Sequence, residues 1–266
     1  MNDVGYQKKD PFIDYKLVKN GRLYLRDTDL DKDAVVSCLG SANTFGRFVE
    51  TPYSHLLRDS LGENVYNMGI GGIGPTDKCL KYLIPYINNT EICILEVMSG
   101  RSISNPKYEC IKATSGINLY TNEMCSPYEF WKYCIDEIDS REITELIDAT
   151  MELYLDAYTN IIEQIEVPII LVYSGLNTPR RRLKCYKNVK RVVGSFPQLI
   201  RYDTVDAIAE KVDYYIENIG DPNVPHKLHG VTSDGMVTNS YYTSQYTHDR
   251  LAKRIEKTIR GMGLWK

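Results

Sequence analysis

Short apolar runs alternate with segments of helical periodicity along most of the chain. Runs at 34–39, 64–68, 92–98 and 168–173 each lead into a loop containing Gly or Ser. This pattern is typical of buried parallel strands that feed βα loops, and a fifth strand is expected at 199–202. Helices are expected at 51–61, 76–86, 141–165, 179–193, 206–219 and 247–262. The repeated β-loop-α order predicts a three-layer α/β/α domain with a mainly parallel five-stranded sheet.

Two segments depart from this repeat. In residues 15–25, Asn20-Gly21 separates two short apolar runs, which predicts a β-hairpin within an N-terminal extension at 1–33. Residues 103–140 are irregular and rich in Asn, Ser, Tyr and Cys, and we expect an insertion or lid over or beside the strand-end pocket. No linker divides the sequence, so residues 1–266 are expected to form a single domain.

Composition narrows the class of protein. The chain is 43% hydrophobic with a net charge of −3, which argues against general nucleic-acid binding. Its 21 Tyr suit a glycan or another polar ligand, although compositional bias explains them equally well. The seven Cys form no CxxC pair, which favours buried reduced thiols. With no metal-ligand spacing, cofactor motif, signal segment or membrane span, we expect a soluble cytoplasmic protein without metal or cofactor.

Three loops at predicted strand ends are rich in Gly and Ser, namely Gly40–Gly46, Gly69–Gly74 and Ser99–Ser102. In open α/β sheets, ligands bind at the carboxyl ends of the strands. An ordinary βα turn without a ligand is the competing interpretation. A further candidate, His248, lies near the start of the last predicted helix.

The order of these elements resembles the SGNH, or GDSL-like, hydrolase superfamily. The first loop corresponds to its Gly-Asp-Ser-x-Thr-x-Gly block and keeps Gly40, Thr44 and Gly46. Asn67-Met-Gly-Ile-Gly-Gly72 corresponds to its Asn-x-Gly-x-x-Gly block. The resemblance covers about 34–102 and 240–262, and is to an uncharacterised bacterial branch associated with surface-polysaccharide loci. It implies an SGNH/flavodoxin-like fold, with Asn67, Gly72, Thr44 and Arg101 in oxyanion or substrate binding and His248 as general base.

The nucleophile block departs from the family pattern. Ala42 occupies the nucleophile position and Ser41 the position of the usual Asp. Ser99-Gly100-Arg101 replaces the block that supplies the oxyanion Asn, and Gln245 stands where the Asp before the His is expected. An Ala methyl cannot attack a carbonyl. Three explanations stay open: Ala42 is a deliberate replacement of Ser, Ser41 has taken over the attack, or the branch has left ester hydrolysis.

Other candidates carry charge. Arg101 in a strand-end loop suits a carboxylate, sulfate or phosphate, or else pairs with a protein carboxylate. A basic run comprises Arg180, Arg181, Arg182, Lys184, Lys187, Lys190 and Arg191. It is either a solvated helix face or a grip for an anionic ligand. The candidate acidic partners of His248 are Asp203, Asp234 and Asp249.

The first function hypothesis is an SGNH-like enzyme that hydrolyses an ester of, or transfers a group to, a substituted sugar in surface-polysaccharide synthesis. The alternatives are a catalytically inactive glycan- or partner-binding module and a transferase with an anionic, nucleotide-type donor. All three imply a pocket at one end of the sheet. We therefore expect Ser41, Ala42, Gly72, Arg101 and His248 to converge there.

Overall fold

The computed structural model describes residues 13–112, 114–179, 188–220 and 242–263. The strands are β1 (Leu17–Asn20), β2 (Leu23–Arg26), β3 (Val36–Gly40), β4 (Val65–Gly69), β5 (Ile92–Glu96), β6 (Tyr108–Lys112), β7 (Ser115–Asn118), β8 (Glu123–Cys125), β9 (Ile169–Gly175) and β10 (Tyr214–Ile219). The α-helices are α1 (Ala42–Phe45), α2 (Tyr53–Leu61), α3 (Cys79–Asn88), α4 (Pro127–Glu137), α5 (Ser140–Ile162), α6 (Val189–Val193), α7 (Tyr202–Ala209) and α8 (Gln245–Gly261). Gly100–Ser102 forms a 3₁₀ turn.

A five-stranded parallel sheet forms the centre of the molecule. Its strand order is β4-β3-β5-β9-β10, and each neighbouring pair is parallel. Numbered along the chain, this is the 2-1-3-4-5 order of doubly wound, flavodoxin-like sheets. The prediction of a mainly parallel, five-stranded α/β fold is therefore confirmed.

Helices cover both faces of the sheet because successive strand residues point to opposite sides. On one face, side chains of the strands pack against α2 and α8. On the other face, they pack against α3, α5 and α7. Strands buried on both faces are nearly all apolar, which is why the sequence pattern located four of the five.

The fifth strand lies later in the chain than predicted. Residues 199–202 lead into α7 (Tyr202–Ala209), and the strand is β10 (Tyr214–Ile219). The helix predicted at 206–219 is therefore wrong beyond residue 209. β10 is at the edge of the sheet, and only two of its six residues are buried. Such a strand lacks the continuous apolar run that marks a central one.

The two predicted departures from the repeat are observed. β1 and β2 form an antiparallel hairpin whose turn includes Gly21 at φ 59°. The segment 103–140 contains a three-stranded antiparallel sheet, β6-β7-β8, followed by α4, and is thus more regular than predicted. Its Tyr108, Phe130 and Trp131 are buried in the same apolar cluster as one face of the central sheet. This segment is therefore part of the main core.

Some sequence predictions concern residues outside the described ranges. The helix expected at 179–193 falls partly on residues 180–187, which lie outside the described ranges. In the described part of that range, α6 comprises Val189–Val193. Six of the seven cysteines are described; all are free, and Cys38, Cys93 and Cys134 are buried. Among the described residues, no helix combines the length and apolar character that crossing a bilayer requires.

Candidate functional site

The loops after β3 and β5 lie side by side at the carboxyl edge of the sheet. β3 and β5 are hydrogen-bonded neighbours, although β4 lies between them in sequence. The chain thus reverses its winding direction at this point, which is where doubly wound folds bind ligands. The β3 loop provides Ser41 and α1, and the β5 loop provides Arg101.

A buried carboxylate joins these two loops. Glu96, the last residue of β5, accepts hydrogen bonds from the backbone N–H groups of Ser41 (2.7 Å) and Thr44 (3.1 Å). It also accepts from the hydroxyls of Ser41 (2.9 Å) and Thr44 (2.6 Å). Burial raises the pKa of Glu96, and the hydrogen bonds from Thr44 and Ser41 oppose that increase. The Ser41 hydroxyl is therefore a donor to a carboxylate.

Two glycines permit this close packing. A Cβ on Gly40 would lie 2.3 Å from Glu96 Oε2 and 2.2 Å from Thr44 Oγ1. A Cβ on Gly69, at the end of β4, would lie 2.0 Å from the backbone nitrogen of Phe45. All three distances are far below van der Waals contact. These glycines of the first two blocks therefore let α1 sit directly on the strand ends.

A buried arginine from the hairpin holds the other end of α1. Arg26 donates to the backbone carbonyls of Phe45 (3.2 Å), Gly46 (2.6 Å), Val49 (3.0 Å) and Glu50 (2.6 Å). Four carbonyl dipoles thus compensate the buried guanidinium. The N-terminal hairpin therefore fixes the loop that follows β3.

His248 lies in the first turn of α8 and is 2% exposed. Its Nδ1 accepts a hydrogen bond from the backbone N–H of Tyr53 at 3.1 Å. A ring nitrogen that accepts from an amide is unprotonated, so in neutral imidazole the proton lies on Nε2. Nε2 is 3.2 Å from Thr243 Oγ1, to which it donates.

Thr243 and Asn43 continue this chain of hydrogen bonds to the sheet. The Thr243 hydroxyl donates to Asn43 Oδ1 at 3.1 Å, and Asn43 Nδ2 donates to the carbonyl of Ser174 at 3.0 Å. His248 therefore reaches α1 through Thr243 and Asn43. Burial lowers the pKa of His248 to about 3, and the charge of Arg26 acts in the same direction. The ring is neutral at physiological pH and both of its nitrogens have partners.

The other block residues have separate environments. Ala42 is the buried first residue of α1. Asn67 is fully buried; its Oδ1 accepts from the N–H of Gly69 at 3.0 Å, whereas its Nδ2 has no partner among the described residues. Gly72 is exposed and has φ 81°, a conformation that favours glycine.

The candidate acidic partners of His248 have other contacts. Asp203 bonds Arg201 at 3.1 Å, and Asp249 accepts from Gln245 at 2.9 Å. Asp234 lies outside the described residues. Gln245, at the position of the family Asp, also exchanges two hydrogen bonds with the backbone of Thr51. These two hydrogen bonds connect α8 to the start of α2.

Arg101 faces the segment that interrupts the α/β repeat. Burial raises the pKa of the Cys110 thiol to about 11, Asp77 adds to this increase, and the charge of Arg101 opposes it. Arg101 and Asp77, which follow β5 and β4, thus both lie near Cys110. The Nε of Arg101 is buried and has no hydrogen-bond partner within the described ranges. An arginine at a strand end whose buried Nε–H lacks a partner among the described residues is suited to bind an anion.

Two tyrosines of α5 fix the loop that carries Arg101. The Tyr158 hydroxyl donates to the carbonyl of Glu96 at 2.7 Å and accepts from the N–H of Met98 at 2.6 Å. Tyr154 donates to the carbonyl of Met98. The loop backbone is therefore held by side chains from the long helix. Roles for Glu96, Asn43, Thr243 and these tyrosines were not predicted from the sequence, although a polar Glu96 within an apolar strand was a usable signal.

One family model matches the chain. Residues 9–112 match a family described as a domain of unknown function (DUF6473). The match includes the hairpin, β3 to β6 and the loops that carry Ser41, Gly72 and Arg101, and it ends well before His248. No curated protein and no solved structure matches the chain.

Proposed function

We propose that this protein binds a sugar with an acidic substituent at the carboxyl edge of its sheet, and that it does not hydrolyse esters through Ser41 and His248. That the ligand is a sugar rests on the resemblance to the SGNH-like branch. That the sugar bears an acidic substituent rests on Arg101, whose buried Nε has no partner in the described part of the chain. That unpaired Nε is the observation that carries the proposal, because a buried donor without a partner costs free energy unless a ligand satisfies it.

The positions of the protons argue against a serine-esterase site. A general base must accept a proton from the nucleophile. The Ser41 hydroxyl donates a hydrogen bond to Glu96. His248 donates a hydrogen bond from Nε2–H to Thr243, and its Nδ1 accepts a hydrogen bond from the N–H of Tyr53. Neither nitrogen of His248 is arranged to accept a hydroxyl proton. Binding without turnover therefore fits this geometry better than hydrolysis.

The binding proposal is tested with glucuronic acid, glucose 6-sulfate and glucose in isothermal titration calorimetry. At least one acidic sugar should bind, and glucose should bind at least tenfold more weakly, on the order of one charge-assisted hydrogen bond. Arg101→Gln should remove this preference. Arg141→Gln is the matched control, since the Arg141 side chain is 87% exposed on α5. Equal affinity for all three sugars, or an unchanged preference in Arg101→Gln, would contradict the proposal.

The absence of ester hydrolysis is tested at Ala42. If the site retained esterase geometry, Ala42→Ser would supply a nucleophile, and general-base help from His248 would accelerate it about 10²–10⁴-fold. We expect instead that wild type and Ala42→Ser both leave 4-nitrophenyl acetate at the background rate. Saturable hydrolysis by Ala42→Ser that disappears in Ala42→Ser/His248→Gln would establish the enzymatic hypothesis in place of this one.

A further inference from the structure

An aspartate shares the environment of Arg101. Asp77 lies in the loop between β4 and α3, and Arg101 lies in the loop after β5. Leu80, which follows Asp77 in α3, belongs to the same apolar cluster as Ile103 and Tyr108, which follow Arg101. The two loops, which carry opposite charges, therefore lie at the carboxyl edge on the same face of the sheet.

Cys110 of β6 lies close to both charged side chains. Its backbone N–H donates to Ser104 Oγ at 2.9 Å, so β6 is tied to the segment that directly follows Arg101. Burial raises the pKa of the Cys110 thiol, and the charges of Asp77 and Arg101 act on that pKa in opposite directions. A charge shifts a pKa in this way only from nearby. Asp77 and Arg101 are therefore neighbours of one side chain.

Although they are opposite in charge, Asp77 and Arg101 do not pair with each other. Within the described ranges neither side chain forms an ion pair, and the buried Nε of Arg101 has no hydrogen-bond partner. Asp77 Oδ1 accepts from the N–H of Cys79 at 3.0 Å, and the Cys79 thiol also lies beside this carboxylate. A carboxylate has about four acceptor sites, so Asp77 can accept further hydrogen bonds. Both charged residues are half-buried, which favours a ligand that supplies both counter-charges.

The two charges indicate which substituents the ligand carries. A guanidinium binds a carboxylate or sulfate group. A carboxylate accepts hydrogen bonds from a hydroxyl or from an ammonium group, but only the ammonium also neutralises its charge. Hydrogen bonds between two charged groups are about twice as strong as those between neutral groups. A sugar that bears both an acidic substituent and a free amino group therefore satisfies Arg101 and Asp77 together.

We propose that the acidic sugar bound at Arg101 also carries a free amino group, and that Asp77 accepts hydrogen bonds from this ammonium group. Arg101 then selects the acidic substituent, and Asp77 selects the amino group over a hydroxyl or an acetylated amine. This inference rests on the function proposed above and names the second charge of its ligand.

The test is calorimetric titration of the full chain at about pH 6, where amino groups are protonated. Glucosaminuronic acid and glucosamine 6-sulfate are compared with glucuronic acid, glucose 6-sulfate and the two N-acetylated amino sugars. At least one amino form should bind about tenfold more tightly than both its hydroxyl and its N-acetyl counterpart. If acidic sugars bind but the amino group adds nothing, this inference is wrong and the proposed function stands. If no acidic sugar binds, both are wrong.

A substitution at Asp77 locates the amino group. Asp77→Asn keeps an acceptor oxygen for the N–H of Cys79, so the start of α3 should be preserved. It should abolish the preference for the amino group and leave the preference for an acidic sugar over glucose unchanged. Asp156→Asn, at an exposed position of α5, is the charge-matched control and should change neither preference. An amino preference that survives Asp77→Asn, or that is lost equally in Asp156→Asn, would overturn the inference.

Discussion

At the scale of single residues, His248 and His55 couple the stability of the fold to pH. Burial lowers the pKa of His248 from 6.5 to about 3 and that of His55 to about 4. Below pH 6.5 the unfolded chain takes up protons on these rings while the native protein does not, so falling pH favours unfolding. Their contribution is complete above pH 6.5 and is lost as the pH falls toward the native pKa values.

We expect the free energy of unfolding to fall between pH 6.5 and 4, by about 1.4 kcal/mol per pH unit for each such histidine. Urea unfolding at several pH values measures this slope. In His248→Gln the slope should be smaller by about 1.4 kcal/mol per pH unit, the contribution of one proton. Ring ¹⁵N chemical shifts should show His248 as the neutral Nε2–H form at pH 5. Protonation of His248 near pH 6.5, or an Nδ1–H form, would contradict the hydrogen bonds described.

Glu96 gives a second prediction at this scale. In Glu96→Gln, the side-chain amide keeps one acceptor oxygen toward Thr44 and the backbone. Its NH₂ group can donate to Ser41 Oγ if that hydroxyl rotates. Glu96→Gln should therefore cost only about 1 kcal/mol, as for one typical hydrogen bond. Glu96→Leu leaves two backbone N–H groups buried without an acceptor and should cost more than about 3 kcal/mol. Urea unfolding checks the order of the two losses. Equal losses for both variants would contradict the hydrogen bonds that Glu96 accepts from Ser41 and Thr44.

The sequence singled out Ser41 and His248 as candidates but could not assign their protons. From the blocks, Ser41 and His248 were predicted to lie at the carboxyl edge, because loops after parallel strands meet there. The direction of each hydrogen bond depends on Glu96, Tyr53 and Thr243, which are distant in sequence. That His248 acts as a base stays a prediction from the resemblance. In the described contacts its Nε2–H donates a hydrogen bond to Thr243, whereas a general base would accept a proton.

At the scale of elements, close backbone packing positions α1. The α1 helix has only four residues, too few to be stable alone. It is held by Glu96 at its start, by Arg26 at its end and by contact with Gly69 beneath it. The sequence pattern did not predict this helix, because its residues are all buried and show no amphipathic period.

We expect Gly69→Ala to displace α1 and to lower the free energy of unfolding by about 3 kcal/mol, as for overpacking of a core. The added Cβ would lie 2.0 Å from the Phe45 nitrogen, and this backbone atom cannot rotate away. Gly261→Ala is the control, because a Cβ at the end of α8 meets nothing within 4 Å. Thermal unfolding of the two variants checks this. A Gly69→Ala protein as stable as the control would exclude the close approach.

At the scale of the whole molecule, sequence predicted the doubly wound sheet but not the integration of its insertion. Four central strands were identifiable because burial on both faces requires apolar runs. The strands β6 to β8 have three to five residues each and expose Ile111 and Met124. Short strands with mixed exposure carry too little periodicity to be separated from irregular structure.

The burial of Trp131 predicts that this segment unfolds together with the central sheet. Trp131 is 1% exposed and lies in the apolar cluster shared with α3, α5 and one face of the sheet. The other tryptophan of the sequence is Trp265, so Trp265→Phe leaves fluorescence that reports on α4 alone. Domains with one continuous core usually unfold in a single cooperative transition.

In that variant, the urea midpoint from Trp131 fluorescence should therefore coincide with the midpoint from far-ultraviolet circular dichroism. A lid that opens separately would expose Trp131 first and give an earlier fluorescence midpoint. Phe130→Ala serves as a probe of coupling, because it removes a fully buried ring beside Trp131 and should cost about 3–5 kcal/mol. If the segment and the sheet share one core, Phe130→Ala shifts both midpoints equally, whereas a shift of fluorescence alone would make the segment an independent unit.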